Sequence, residues 1–187
     1  MKTHNTLSRQ FIALRVPLCL CLLTITASAQ AADVTFSATF QAPTCQVSAP
    51  ASLDFNTVLS SDIRQGISLA NPLTLEITVS QCAGFIGSVQ KPGVKVTGTG
   101  NTGSGDFLFR LPATSQAVNY GVRIATATGD VVAANSFLPL SLNSATFNGG
   151  STSILLKAAL SCGNKCNDAT TKSGMLNATV TFDFAYQ

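Results

Sequence analysis

The chain has 187 residues, 10% of them charged, and its formal charge of +3 comes from eleven Lys and Arg against eight Asp and Glu. The length suits one domain of ordinary size behind a short leader. The only histidine is His4, which excludes a Ser-His-Asp or Cys-His catalytic device and most zinc or copper chemistry from everything downstream.

Chain order begins with that leader. Lys2, Arg9 and Arg15 precede an apolar run over 16–25, which closes on the small residues Thr26-Ala27-Ser28-Ala29-Gln30-Ala31. This is the pattern of a secretory signal peptide, residues 1–31. The run is shorter than the ~20 apolar residues that cross a bilayer, so cleavage is expected rather than anchoring, after Ala31 or after Ala29. Removing the leader takes three basic residues and no acidic ones, which leaves eight against eight. A balanced chain lacks the clustered basic footprint of a nucleic-acid binder, and low charge in an exported protein favours association with other protein.

Cys19 and Cys21 leave with the leader, and Cys45, Cys82, Cys162 and Cys166 remain. An even count outside the cytosol suggests two disulfides. Four cysteines allow three pairings. The sequence favours Cys45 with Cys82, which flank strand-like segments, and Cys162 with Cys166, which are close in the chain. The rival use of the same four thiols is a metal site.

No segment beyond the leader has a trustworthy helical period. Strand-like runs recur between clusters of Gly, Pro, Asn and Ser, and the chain reads as an all-β sandwich. The clearest predicted strands cover 34–40, 73–79, 94–97, 107–111, 120–125, 131–133, 153–160 and 176–186. The stretch over 60–70 is less readable and could hold one helical turn. Gly98-Thr99-Gly100-Asn101-Thr102-Gly103 fits the dinucleotide fingerprint, but it leads into another strand where the fingerprint needs a helix N-terminus. It is read as a flexible hairpin loop. Asp54, Asp62, Asp106 and Asp130 are read as solvated loop positions rather than a catalytic carboxylate pair. The glycosylation sequon Asn177-Ala178-Thr179 falls inside a predicted strand and is read as coincidence.

Both ends of the processed chain alternate. Val34, Phe36, Ala38 and Phe40 are apolar or small between Thr35, Ser37 and Thr39. Leu176, Ala178, Val180, Phe182, Phe184 and Tyr186 alternate with Asn177, Thr179, Thr181 and Asp183. Period two gives each run one face for a core. A chain end frays unless it pairs, so the last strand needs a neighbour. The bland expectation is a self-contained secreted carbohydrate- or ligand-binding sandwich that uses its own first strand.

Four features give the chain a different character. They are the N-terminal run closing on Ala42-Pro43-Thr44-Cys45-Gln46-Val47, the segment Leu73-Thr74-Leu75-Glu76-Ile77-Thr78-Val79-Ser80-Gln81-Cys82, the stretch Tyr120-Gly121-Val122-Arg123-Ile124 followed by Thr128-Gly129-Asp130, and the ending. In that ending Gly174 stands fourteenth from the C-terminus and Tyr186 is penultimate. In these the chain resembles the pilins of the chaperone-usher pathway, the subunits of Gram-negative fimbriae, over its whole processed length.

The resemblance implies an incomplete immunoglobulin-like β-sandwich that lacks its last strand, and a structural, non-enzymatic role without cofactors. It implies a donor extension over 32–42 carrying Val34, Phe36, Ala38 and Phe40, and a pilin domain over 43–187. The acceptor groove and chaperone-binding residues would be Gly174, Leu176, Val180, Phe182, Phe184, Tyr186 and Gln187, with chaperone basic groups holding the Gln187 carboxylate. The implied partners are a periplasmic pilus chaperone, an outer-membrane usher, neighbouring pilins and a tip adhesin, and no nucleic acid. The implied destination is the cell-surface fimbrium, by way of the periplasm. Two departures stand out: Ala38 occupies a position where relatives often have glycine, and Cys162-Gly163-Asn164-Lys165-Cys166 adds a second cysteine pair, read as a loop staple.

Overall fold

The computed structural model describes residues 35–39, 42–63, 72–87 and 89–187. The leader, Val34 and Phe40 lie outside these residues. The chain divides into two units, Met1–Thr39 and Phe40–Gln187. In the first, residues 35–39 carry no regular secondary structure and are exposed, Phe36 to 90%. A strand was expected over 34–40, and its described part forms none.

The second unit holds nine strands among its described residues: β1 (Thr44–Ser48), β2 (Leu73–Ala83), β3 (Pro92–Gly98), β4 (Gly100–Ser104), β5 (Asp106–Phe109), β6 (Gly121–Thr126), β7 (Phe137–Pro139), β8 (Thr152–Ser161) and β9 (Val180–Tyr186). They form a sheet of order β1-β2-β8-β6-β5-β4 and a second of order β7-β3-β9. Every ladder is antiparallel.

Alternation explains the core. On β2, Leu75, Ile77 and Val79 are buried while Thr74 and Glu76 are exposed. The neighbouring β8 contributes Leu156 and Ala158 to the same layer, β6 contributes Ile124, and Val94 and Val96 of β3 meet them from the other sheet. Phe109, Phe147 and Ile86 fill the space between and are fully buried. Burying each such side chain stabilises the fold by about 1.5–3 kcal/mol.

Two disulfides close loops: Cys45–Cys82 ties β1 to the end of β2, and Cys162–Cys166 spans the 3-10 turn Gly163–Lys165.

Several expectations are corrected. The strand expected over 131–133 is a single bridge between Val131 and Ala125, because Asp130 accepts from Thr126 and Thr128 in a tight turn and only Val132 reaches the core. The loop expected over 98–103 is mostly β4. Its hairpin tip is Gly105, at φ +93, and pairing with β5 outweighs the poor strand propensity of Gly100-Asn101-Thr102-Gly103. Asp106 is not a free loop carboxylate, since its Oδ2 accepts from Arg123 Nε at 2.6 Å. The described part of 60–70 is a turn with Asp62 N donating to Leu59 O, and the remainder lies outside the described residues. The ladder of the last strand begins at Val180, four residues later than expected.

Candidate functional site: an open edge between two sheets

β9 pairs with β3 from Gly98↔Val180 to Pro92↔Tyr186, and it is the last strand of its sheet. β1 is likewise the last strand of the other sheet and pairs only with β2. The two edges come together at one end, where Tyr186 Oη donates to Pro43 O at 2.8 Å. Burial there pushes the Tyr186 hydroxyl pKa above its ordinary value. Past Tyr186, the backbone of Gln187 exchanges two hydrogen bonds with Lys91, which leaves the Gln187 side chain exposed.

The inward face of the last strand is only half covered. Leu176, Ala178, Val180, Phe182, Phe184 and Tyr186 are all half-buried, while Asn177, Thr179, Thr181 and Asp183 are exposed. Phe184 packs edge-on against Tyr186 and tilts onto Phe147, with ring centroids 5.1 and 6.1 Å apart. Val47, Leu53 and Phe55, which lie on or after β1, are half-buried against the same core. An edge strand with an unpaired backbone and a wet apolar face is a template for another strand.

Near the start of the last strand lies a cleft of about 640 Å³. Phe55, Val58, Ile63, Tyr120, Leu160 and Leu176 contribute apolar side chains to a lining that also holds Asp54, Asn56, Thr57 and Asn177. Gly174 sits on its rim at φ +154, and a Cβ there would stand 3.0 Å from Gln116 Cβ and 3.1 Å from Ala117 N. The segment before β9 is fixed by backbone bonds: Gln116 N and Ala117 N both donate to Met175 O, and Leu111 N donates to Asn177 O. The Asn177 side chain donates to Thr114 O, so this sequon residue has a structural partner.

The structure places Val180, Phe182, Phe184 and Tyr186 on the β9 edge, Gln187 just past it, and Gly174 and Leu176 at the cleft before it. Val34 and Phe40 lie outside the described residues, and Phe36 and Ala38 are exposed in the first unit. The sequence reading did not identify Val47, Leu53, Phe55 and Val58. Leu53 and Phe55 do alternate with Ser52, Asp54 and Asn56, a signal too short to separate from a loop. Among the described residues no cluster of three His, Cys, Asp or Glu could hold a metal ion.

The family described as Fimbrial protein matches residues 34–187. No curated protein sequence matches the chain. Among solved structures, the P pilus rod subunit PapA is similar at 20% identity and a TM-score of 0.57, over 76% of this chain and 99% of that one. A subunit from a chaperone-usher pilus, described in connection with rod uncoiling, is similar at 20% identity and a TM-score of 0.54, over 87% and 99%. These two likenesses concern the fold, which is an immunoglobulin-like sandwich left one strand short of closure. The chain belongs to the fimbrial protein family and is a structural subunit of a surface pilus, where its neighbours are other pilins.

Proposed function

We propose that the open edge is filled by a strand from another polypeptide, and that the extension over 32–42 is the strand this chain donates in turn. The observation that carries this reading is the half-buried inward face of β9 beside an unpaired backbone edge. Strand addition to a sheet edge is a general recognition mode, and chaperone-pilin complementation is a named instance of it. Val34, Phe36 and Phe40 enter the groove, each adding about 1.5–3 kcal/mol on burial. A slip by one residue presents Thr35, Ser37 and Thr39 instead, so the register is steeply selected.

Every ladder in the sandwich is antiparallel, and an incoming strand that follows suit runs from the Tyr186 end toward the cleft beside Gly174. Phe40, the last alternating residue, then falls at the cleft. Ala38 brings a methyl where relatives often have glycine, which limits how closely that point of the strand can approach the groove floor; a groove adapted to it would accommodate the methyl.

Before assembly a periplasmic chaperone covers the groove, with basic groups holding the Gln187 carboxylate, and an outer-membrane usher passes the subunit to the surface. Residues 1–31 are the export signal, 43–187 the pilin domain, and a tip adhesin heads the fibre. The subunit carries out no catalysis.

The test uses the chain with and without Phe40→Asp. The unsubstituted chain forms ladders that resist sodium dodecyl sulfate. Phe40→Asp abolishes them and leaves chaperone binding intact, because the extension is no part of the chaperone-bound groove. An added peptide covering 33–42 stabilises the chaperone-free chain. A stable, soluble lone monomer that unfolds when 33–40 is deleted overturns the reading, because its own first strand then fills the gap.

A further inference from the structure

The two ends of the sandwich expose different apolar side chains. At the end where β9 finishes, the loop after β2 lies against Pro43. A Cβ on Gly84 would stand 3.0 Å from both Cα and Cβ of Pro43, and Gly84 has φ +103, a region that favours glycine. Gly84 N also donates to Asn148 Oδ1 at 3.3 Å. Ile86, 1% exposed, anchors this loop in the core, while its neighbours Phe85 and Val89 stand 75% and 86% exposed.

At the opposite end, Met175 lines the cleft and Leu59 lies between the lining residues Val58 and Ser60. They are 55% and 65% exposed. Both ends thus leave large apolar side chains in water, surface that a contact with another molecule would cover.

We infer that Phe85 and Val89 of one subunit pack on Leu59 and Met175 of the subunit whose groove receives its donor strand. The inference rests on the strand-exchange reading and adds a second contact to it. Its occupant is fixed by chain length. Phe40 sits at the receiving cleft and Pro43 is three residues further on, a span of at most about 10 Å even when fully extended. Pro43 is in turn against Gly84, next to Phe85. The donor body therefore cannot stand clear of the cleft mouth, and the apolar loop beside Pro43 meets the apolar rim. The contact is head-to-tail, with unlike surfaces meeting, and such contacts propagate as open filaments.

Introducing Phe85→Cys together with Met175→Cys tests the contact in assembled fibres. After mild oxidation, boiling in sodium dodecyl sulfate without reductant is expected to leave a covalent ladder. A control pair, Phe85→Cys with Leu155→Cys on β8, is expected to collapse to monomer. Unboiled ladders that form normally but yield only monomer after boiling, with the first pair, overturn the contact and leave strand exchange standing. Absence of unboiled ladders from the unsubstituted chain overturns both. Should the new thiols divert Cys45 or Cys82, Phe85→Asp carries the test: the unboiled ladder is expected to dissolve at a lower temperature, and an unchanged temperature overturns the contact.

Discussion

β2 and β9 carry the same alternating pattern and end in different surroundings. On β2, Ile77 and Val79 are completely buried, with β1 and β8 on either side and the second sheet across the core. On β9, Phe182 and Phe184 point toward the same core, have β3 on one side only, and remain partly exposed. Alternation thus specifies which face of a strand is apolar, and it is silent on whether this chain covers that face. The difference between the two strands is apolar cover that this chain does not supply on β9 among its described residues, and that the proposed donor strand would add.

The sharpest way to break that comparison is to truncate one residue on each side. Ile77→Ala is expected to cost about 2–5 kcal/mol in denaturant unfolding, as fully buried aliphatic residues do. Phe182→Ala is expected to cost less than Ile77→Ala in the unaccompanied chain, since part of its ring is already exposed to water. Adding the peptide covering 33–42 should raise the Phe182→Ala cost toward that of Ile77→Ala. Equal costs without the peptide would mean that the groove is already filled from within.

A smaller effect is expected at the cleft. Gly174→Ala meets both an unfavourable φ and a contact with Gln116, and a loss of about 1–3 kcal/mol should appear in thermal unfolding. Its strand-acceptance rate should fall further than its stability if the cleft is where the donor strand engages. A fall in stability alone would restrict Gly174 to a folding role.

The smallest effect concerns pH. Burial raises the Tyr186 hydroxyl pKa, so the folded chain holds that proton more tightly than the unfolded chain does. The associated stability is fully present below the unfolded value of about 10 and is lost as pH rises through the raised folded value. Melting temperature should therefore fall more steeply above pH 10 in the unsubstituted chain than in Tyr186→Phe. Identical slopes would show that water reaches the Tyr186 end of the groove freely.

The strands most legible in the sequence are β2 and β9, whose own residues alternate strongly, and β8, which is a long apolar run. β1 escaped notice because Thr44-Cys45-Gln46-Val47-Ser48 has little apolar content, and it exists by pairing with β2 and by its disulfide. β7 is three residues long and ends in proline, and β4 is rich in glycine; both are held by partners rather than by propensity. The alternation of the last strand made its half-buried inward face legible. The opposite wall and the cleft were not legible, because residues near 55, 120, 160 and 175 meet there only through the fold.

The Cys45–Cys82 bond stands two residues from Pro43, where the extension leaves the sandwich. Under the strand exchange proposed above, tension in a pulled fibre would enter each subunit at that point. Edge strand β1 alone could be peeled from β2 one hydrogen bond at a time. The covalent link would pass that load to the end of β2, so β1 is held at its root against such peeling.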